Sequence, residues 1–141
     1  MRTDLPDVNV LVALFMAAHE HHDAAHRWLA GAARFATTPF TEAGLLRVLM
    51  TRTPVGDPLT GAQALDRLRE LRELPGAVFW PDDTSLADLR AVTAHLYGPG
   101  QITGTHLLNL AIARGGRLAT FDKGIAAPLS PKHRRNVLEL G

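Results

Sequence analysis

Residues 5–14 read LPDVNVLVAL, a short apolar stretch that meets a polar break and then continues as a longer apolar run. The pattern predicts a strand over about residues 4–8 and a helix over about residues 10–18. Asp7 lies where the strand gives way to the helix. A carboxylate beside a buried strand needs a partner, because an isolated charge is costly to remove from water. Asp7 is therefore the first candidate for a functional acid.

Two further predicted junctions between a strand and the following helix also carry an acidic residue. In TTPFTEAGLLRVL the acid is Glu42, in a helix that we expect to begin after Thr41, and in RLATFDKGI it is Asp122. Strands that alternate with helices predict an α/β fold with a central parallel sheet covered on both faces. The carboxyl ends of parallel strands meet at one crevice, so Asp7, Glu42 and Asp122 are expected to lie together.

Apolar periodicity and turn residues predict the remaining elements. Further strands are expected over about residues 34–38, 77–80, 118–121 and 137–140, and further helices over about residues 22–33, 42–51, 61–74, 85–96 and 104–114. Thr60 and Thr103 are expected helix caps, and an apolar stripe is expected at Leu65, Leu68, Leu71 and Leu74. Pro6 conflicts with the first strand, since it lacks an N–H. Either the strand effectively starts there, or that position faces away from a partner.

Composition restricts the class of protein. With 141 residues, 46% of them apolar and 21% charged, the chain is expected to be a single globular domain spanning residues 1–141. The absence of cysteine excludes disulfides, thiolate metal sites and cysteine nucleophiles. No apolar run is long enough to span a membrane, and a cytoplasmic location is expected. The net charge of +1 decides neither for nor against nucleic acid.

Acids gathered at one crevice favour a hard divalent cation. Magnesium takes oxygen ligands, and it usually binds through few carboxylates together with substrate phosphate. A phosphodiesterase dependent on Mg²⁺ or Mn²⁺ is one interpretation. The other is purely structural: Asp7 could cap a helix, Glu42 could be an acid of a first helical turn, and Asp122 could belong to a turn.

Four motifs together resemble a known family. DVNVLVAL, PFTEAGLLRVL, WPDD and GGRLATFDKGI occur in this order, and the set is similar to PIN-domain ribonucleases, more narrowly to the VapC toxins of toxin–antitoxin pairs. The resemblance implies a three-layer α/β/α fold, RNA endonuclease activity and a Mg²⁺ or Mn²⁺ cofactor. It also implies a homodimer, a VapB-like antitoxin as partner, and contact with operator DNA only through that antitoxin.

The resemblance assigns roles to individual positions. Asp7, Glu42 and Asp122 match catalytic, metal-binding acids of the family, and Asn9 matches a small polar residue that supports the first aspartate. The family's further aspartate falls at Gly104, within Thr103-Gly104-Thr105-His106-Leu107. Thr105 or His106 could substitute only in part, since neither replaces the charge of a carboxylate.

Glycine at position 104 leaves three explanations open: a natural variant that still holds one metal, a degenerate toxin, or an attenuated clone. We expect reduced cleavage. The alternative function is an impaired PIN domain that acts mainly as an antitoxin-binding, operator-regulating partner.

Other polar clusters carry weaker interpretations. Four histidines, His19, His21, His22 and His26, could bind zinc, but incidental histidines at the start of a surface helix are the better interpretation. Arg47 follows Glu42 on the same predicted helix and could contact a bound phosphate. A receiver-like phosphoacceptor domain is disfavoured, because it needs a paired acid near the start and a differently placed lysine.

Overall fold

The computed structural model describes residues 2–54, 56–89 and 98–141 and contains a parallel sheet flanked by helices. The strands are β1 (Asp4–Pro6), β2 (Phe35–Thr37), β3 (Ala77–Phe79), β4 (Arg117–Thr120) and β5 (Val137–Glu139). The α-helices are α1 (Val8–Phe15), α2 (His22–Gly31), α3 (Pro39–Leu49), α4 (Gly61–Glu73), α5 (Ile102–Ala113) and α6 (Pro131–Arg134). Neighbouring strands pair in parallel, in the order β3-β2-β1-β4-β5.

Two apolar clusters cover the two faces of this sheet. Side chains alternate along a strand, so neighbouring residues of one strand serve different clusters: Phe35 packs with one and Ala36 with the other. The first cluster contains buried residues of α1, α2, α3 and α4, and the second contains those of α5. The three layers confirm the predicted α/β/α fold with a central parallel sheet. Among the described residues, no helix is both long and apolar enough to cross a membrane.

The first helix begins earlier and ends earlier than predicted. It runs from Val8 to Phe15 rather than over about residues 10–18. The early start arises because Asp7 is itself the N-cap, and its carboxylate accepts a hydrogen bond from the Val8 N–H at 2.7 Å. The strand therefore ends at Pro6, and the turn to the helix takes a single residue.

Two other predicted helix starts are also wrong. The cap of α3 is Thr38, not Thr41: the two threonines form a reciprocal capping box, with Pro39 as the first helical residue. Thr103 is not a cap either, because a 3₁₀ turn over Pro99–Gln101 leads directly into α5 at Ile102. In both cases the helix begins earlier than predicted and includes residues that were assigned to the loop before it.

Pro6 limits the pairing of the central strand on one side. Three residues of β1 are in register with β4, whereas only Asp4 is in register with β2, opposite Phe35. The Asp4 N–H bonds to Arg34 O on the β2 side, and the Asp7 N–H bonds to Ala119 O on the β4 side. The N–H groups of successive residues in a strand point alternately to its two neighbours. The position where Pro6 lacks an N–H is therefore on the side of β2. The strand includes Pro6 as its last residue, and its ladder with β2 ends there.

The helix after the proline- and glycine-rich loop is as predicted at its start. Thr60 caps α4 in a capping box with Gln63. The predicted leucine stripe is correct only in part, since Leu68 and Leu71 are buried but Leu65 and Leu74 are exposed. A spacing of three residues drifts around a helix with 3.6 residues per turn, so the outer leucines leave the buried face.

The helix predicted over about residues 85–96 does not begin as expected. Ser85 accepts the Ala87 N–H and caps only a 3₁₀ turn over Leu86–Asp88, after which Leu89 is extended. A side-chain bond that closes so early favours a tight turn over a regular helix. The rest of the predicted helix lies in residues 90–97, outside the described residues.

Candidate active site

A cavity of about 680 Å³ opens where β1 and β4 end. Its wall includes five positions singled out in the sequence: Asp7, Asn9, Gly104, Thr105 and Asp122. These residues lie close together because β1 and β4 are neighbouring parallel strands, and polar residues follow the carboxyl end of each. The predicted convergence is therefore present for the acids that follow β1 and β4.

A threonine hydroxyl connects the two acids. Thr120, the last residue of β4, donates to Asp7 Oδ2 at 3.3 Å, and its oxygen accepts the Asp122 N–H at 3.0 Å. Asp122 Oδ1 in turn accepts the Gly124 N–H at 2.8 Å, so this acid also closes a local turn. The structural interpretations of Asp7 as a cap and Asp122 as a turn residue are thus both correct, and both carboxylates still face the cavity.

The charge of Asp7 is poorly compensated. Burial raises the pKa of Asp7 above the ordinary aspartate value, hydrogen bonds from Val8 and Thr120 lower it in part, and the charge of Asp122 raises it further. Across residues 2–54, 56–89 and 98–141, no cationic side chain forms an ion pair with Asp7. A positive ligand in the cavity would relieve this arrangement.

Glu42 does not share the lining of the cavity. Its Oε2 accepts a hydrogen bond from Thr37 Oγ1 at 2.7 Å and lies 3.8 Å from Nε of Arg72 on α4. Phe40, Gly44 and other residues of α3 do line the cavity, and Glu42 projects from a different side of that helix. The structure thus brings Asp7 and Asp122 together without Glu42, whose assignment as a ligand stays a prediction.

Gly104 leaves limited room for the acid that the family resemblance expects. It belongs to the first turn of α5, and a Cβ atom built at this position would lie 3.1 Å from Cδ1 of Ile125. Ile125 is a buried residue of the loop after β4. A side chain at position 104 therefore requires a shift of a few tenths of an ångström at the flexible end of Ile125.

The donor set fits a hard divalent cation bound through few protein ligands. Within the described part of the chain, no group of three or more His, Cys, Asp or Glu side chains is arranged to hold a metal. Asp7 and Asp122 supply carboxylate oxygens on one cavity wall. Magnesium commonly uses one or two carboxylates and completes its octahedron with water and substrate phosphate. The two carboxylates are enough for such an ion. They are too few for a metal site in which protein side chains supply every ligand.

The histidine cluster divides into two parts with different surroundings. On α2, His22 Nδ1 and His26 Nε2 lie 2.7 and 2.9 Å from the carbonyl oxygens of Ala13 and Leu14, so these histidines satisfy acceptors at the end of α1. His19 and His21 instead line the cavity with Glu20 between them. The cluster therefore fixes one helix to another and borders the acidic site.

Three further polar residues organise the site, and sequence reasoning missed the two threonines among them. Thr120 and Thr37 are buried at strand ends and bond the acids, and Asp82 Oδ2 accepts the Phe40 N–H at 2.8 Å while Oδ1 lies 3.2 Å from His106 Nε2. A threonine that closes an apolar strand just before a carboxylate was the available signal. In the WPDD motif, the sequence favours Asp82 as a cap for the helix from Ser85 over an outer acid of the site; the cap prediction is wrong, because Asp82 bonds the first turn of α3 instead.

Comparison with known proteins identifies the family. Residues 5–128 match the PIN domain, and the chain belongs to the PIN-domain family, among its VapC-type ribonucleases. It is 42% identical over 131 residues to Ribonuclease VapC39 of Mycobacterium tuberculosis, covering 88% of this chain and 91% of that relative. It is 40% identical over 125 residues to Ribonuclease VapC29 of the same organism, covering 88% and 89%. The expected enzyme class, endoribonuclease, is confirmed.

A solved structure supports the fold independently. The crystal structure of VapC20 of Mycobacterium tuberculosis, a toxin that cleaves the sarcin–ricin loop, superposes with a TM-score of 0.61. The match covers 89% of this chain and 94% of VapC20 at 14% identity. At that identity the likeness concerns the fold, so it does not transfer the target of VapC20.

Proposed function

We propose that this chain is the toxin of a type II toxin–antitoxin pair and cleaves RNA with a Mg²⁺ or Mn²⁺ ion at the cavity. The observation that carries the proposal is the pair of acids Asp7 and Asp122 on one cavity wall, where the Thr120 hydroxyl bonds both the Asp7 carboxylate and the Asp122 backbone N–H. RNA would meet this site in the cytoplasm, and substrate phosphate would bring additional ligands for the ion.

Each residue at the wall has a role in this proposal. Asp7 and Asp122 would hold the cation. When bound, such an ion offsets charge on the phosphate and activates water for in-line attack. One of the two carboxylates would take a proton from the attacking water, and Thr120 holds the two residues relative to each other, because its hydroxyl bonds the Asp7 carboxylate and the Asp122 backbone N–H. No histidine base is needed.

Arg47 is the proposed phosphate contact. It lies on α3, lines the cavity, and is exposed. Within the described residues its guanidinium forms no ion pair, unlike that of Arg52, which bonds Asp57 at 2.8 Å. An unpaired guanidinium that lines the same cavity as two carboxylates can hold an RNA phosphate while the acids hold the metal. Binding of RNA should therefore weaken as salt increases.

Glu42 is proposed as a third ligand that joins the site only after a rotation of its side chain. Such a rotation would break its bond from Thr37 and its contact with Arg72. Asn9 is proposed as a polar neighbour of the metal and Thr105 as another, since both line the cavity.

Gly104 is proposed to weaken cleavage, because the start of α5 contributes no carboxylate to the cavity. This residue also favours the second candidate function, an impaired PIN domain that acts mainly by binding its antitoxin and so regulating an operator. In both cases the proposed partners are a VapB-like antitoxin and a second copy of this chain. Operator DNA would be contacted only through the antitoxin.

The proposal is tested by incubating the purified chain with total RNA in Mg²⁺, in Mn²⁺ and in chelator. We expect cleavage that needs the metal and that disappears in Asp7→Asn. Asp66→Asn is the matched control, since Asp66 is an exposed acid on α4. Stable antitoxin binding without cleavage at any metal concentration would establish the second candidate instead, and cleavage undiminished in Asp7→Asn would contradict the proposed site.

A further inference from the structure

Three rings form a ladder along the rim of the cavity. The ring of His21 is stacked on that of Phe121, with centroids 4.2 Å apart and planes inclined by 16°. The ring of His19 lies 5.8 Å from that of His21 at 44°. We call this set, His19, His21 and Phe121, the ring ladder. All three of its members line the cavity that contains Asp7 and Asp122.

The ring ladder is held in place by the backbone. The His21 N–H donates to His19 Nδ1 at 3.0 Å, which fixes the two histidines relative to each other. The next residue, His22, contacts the Ala13 carbonyl of α1 at 2.7 Å and anchors the loop that carries them. Phe121 is fixed from the other side, because it directly follows β4. The ladder is thus preorganised rather than formed only on binding.

The ring ladder is more exposed than the aromatic pair of the core, although Phe121 also packs against the first apolar cluster. His19, His21 and Phe121 are all only partly buried, and the His21 side chain is 38% exposed. The aromatic pair of the core, Trp28 and Phe35, is buried with rings at 72°. The His21 and Phe121 rings are nearly parallel and the His19 ring is tilted by 44°, and all three are partly exposed where they line the cavity, so a planar ligand there can contact ring surface. Burial and the neighbouring His21 also lower the pKa of His19, which favours its neutral, stacking form.

We propose that the ring ladder is a nucleobase-stacking subsite that holds an unpaired base of single-stranded RNA beside the bond to be cut. The inference rests on the proposed function, since Phe121 directly precedes Asp122 and a base on the ladder lies next to a phosphate at the acids. Stacking accepts any base face, so the subsite favours unstacked single strands over duplexes without reading sequence. Cleavage by this chain is accordingly directed to loops and ends.

The test measures binding without cleavage and needs no metal. In the Asp7→Asn background, the probes are an eight-residue oligoadenylate and a ribose-phosphate oligomer of the same length that carries no bases. We expect oligoadenylate to bind roughly tenfold more tightly, a ratio within the range found for stacking of one base on an aromatic side chain. His21→Leu should remove most of this ratio and His21→Phe should keep it. His133→Ala, a histidine of α6 outside the cavity lining, is the matched control.

Each outcome decides between explanations. The stacking subsite would be overturned if the Asp7→Asn protein bound both probes with equal affinity. It would also be overturned if adding His21→Leu lowered the affinity for both probes equally. A loss confined to antitoxin binding would assign the rings to a protein partner and overturn it as well. Because binding is read without cleavage, these failures differ from that of the proposed function, which fails if Asp7→Asn still cleaves RNA. Thermal unfolding of each variant verifies that the fold is retained.

Discussion

Two aspartates at opposite ends of β1 have opposite surroundings. Asp4 is 3% exposed, and the Arg117 guanidinium donates hydrogen bonds to both of its carboxylate oxygens, at 2.9 and 3.2 Å. The Trp28 indole N–H also donates to Asp4 Oδ2, at 3.0 Å. Asp7 receives hydrogen bonds only from neutral donors in the described residues, and the like charge of Asp122 raises its pKa further. The first carboxylate is compensated within the described chain, whereas the second is not.

We propose that this difference separates a structural charge, Asp4, from a functional one, Asp7. A buried charge that is paired and hydrogen-bonded is satisfied by the fold, and its loss mainly affects folding. A charge that the fold leaves without a cation is satisfied by a ligand, and an acid in a cleft whose pKa is raised by burial and a like charge is a candidate for a functional site. The two aspartates therefore predict opposite effects of substitution on stability and on activity.

The largest effect is expected from Asp7→Asn. Cleavage should fall by more than about 100-fold, since even residues that only support a metal ligand contribute about 10- to 100-fold. Stability at neutral pH should be unchanged or higher, because the raised pKa shows that the fold disfavours this charge and asparagine is also a good N-cap. Cleavage assays and thermal unfolding test both parts; a large loss of stability would break the contrast with Asp4.

The reverse pattern is expected from Arg117→Met. Removing one partner leaves a buried carboxylate uncompensated and should lower the free energy of unfolding by about 3 kcal/mol, at the lower end for a buried pair because Arg117 is 31% exposed. Affinity for Mn²⁺ should not change. Arg69→Met is the control, since its pair with Asp66 is exposed and contributes at most about 0.5 kcal/mol. Urea denaturation that gave equal losses for both variants would show that Asp4 is not the compensated acid.

A smaller effect is expected from Thr120→Val, which keeps the shape of the side chain and removes the hydroxyl between the acids. Cleavage should fall by roughly tenfold, the lower range for a residue that orients a metal ligand. Thr120→Ser should restore it, because serine still donates to Asp7 and accepts from Asp122. Equal cleavage by the valine variant and the parent would show that the two acids need no connection.

The smallest effect is expected from Gly104→Asp. A carboxylate added at the start of α5 should raise Mn²⁺ affinity and cleavage, by up to about tenfold. The companion substitution Ile125→Val removes the Cδ1 atom that a new Cβ would approach at 3.1 Å, so the double variant should show the full gain. Gly104→Ala is the control, since it adds the Cβ without the charge. Activity that rose equally in the alanine variant would count against a missing ligand.

Local sequence patterns were enough to predict the layers but not the boundaries of the helices. The alternation of apolar strands and helices correctly predicted a parallel α/β/α fold. The start of α3 was misplaced because Thr38 and Thr41 are both good caps, and the choice between them depends on Pro39 at the first helical position. The start of α1 was misplaced because the strand was extended to residue 8 and the helix was counted from Val10, whereas Asp7 caps a helix that begins at Val8.

The site was predicted in part for a related reason. Position at a strand end was sufficient to bring Asp7 and Asp122 to one cavity, because that position follows from the topology of the sheet. The direction of the Glu42 side chain depends on Thr37 and on Arg72 of another helix, a contact between distant parts of the chain. The compensation of Asp4 by Arg117, 113 positions away, is likewise invisible to local patterns.

Titration of Mn²⁺ by calorimetry into the chain and its Asp7→Asn and Asp122→Asn variants tests the central claim most directly. If the uncompensated acids form a divalent cation site, the parent binds the ion, both variants lose that binding, and Asp66→Asn binds like the parent. Equal binding of Mn²⁺ by the parent and Asp7→Asn would contradict the account.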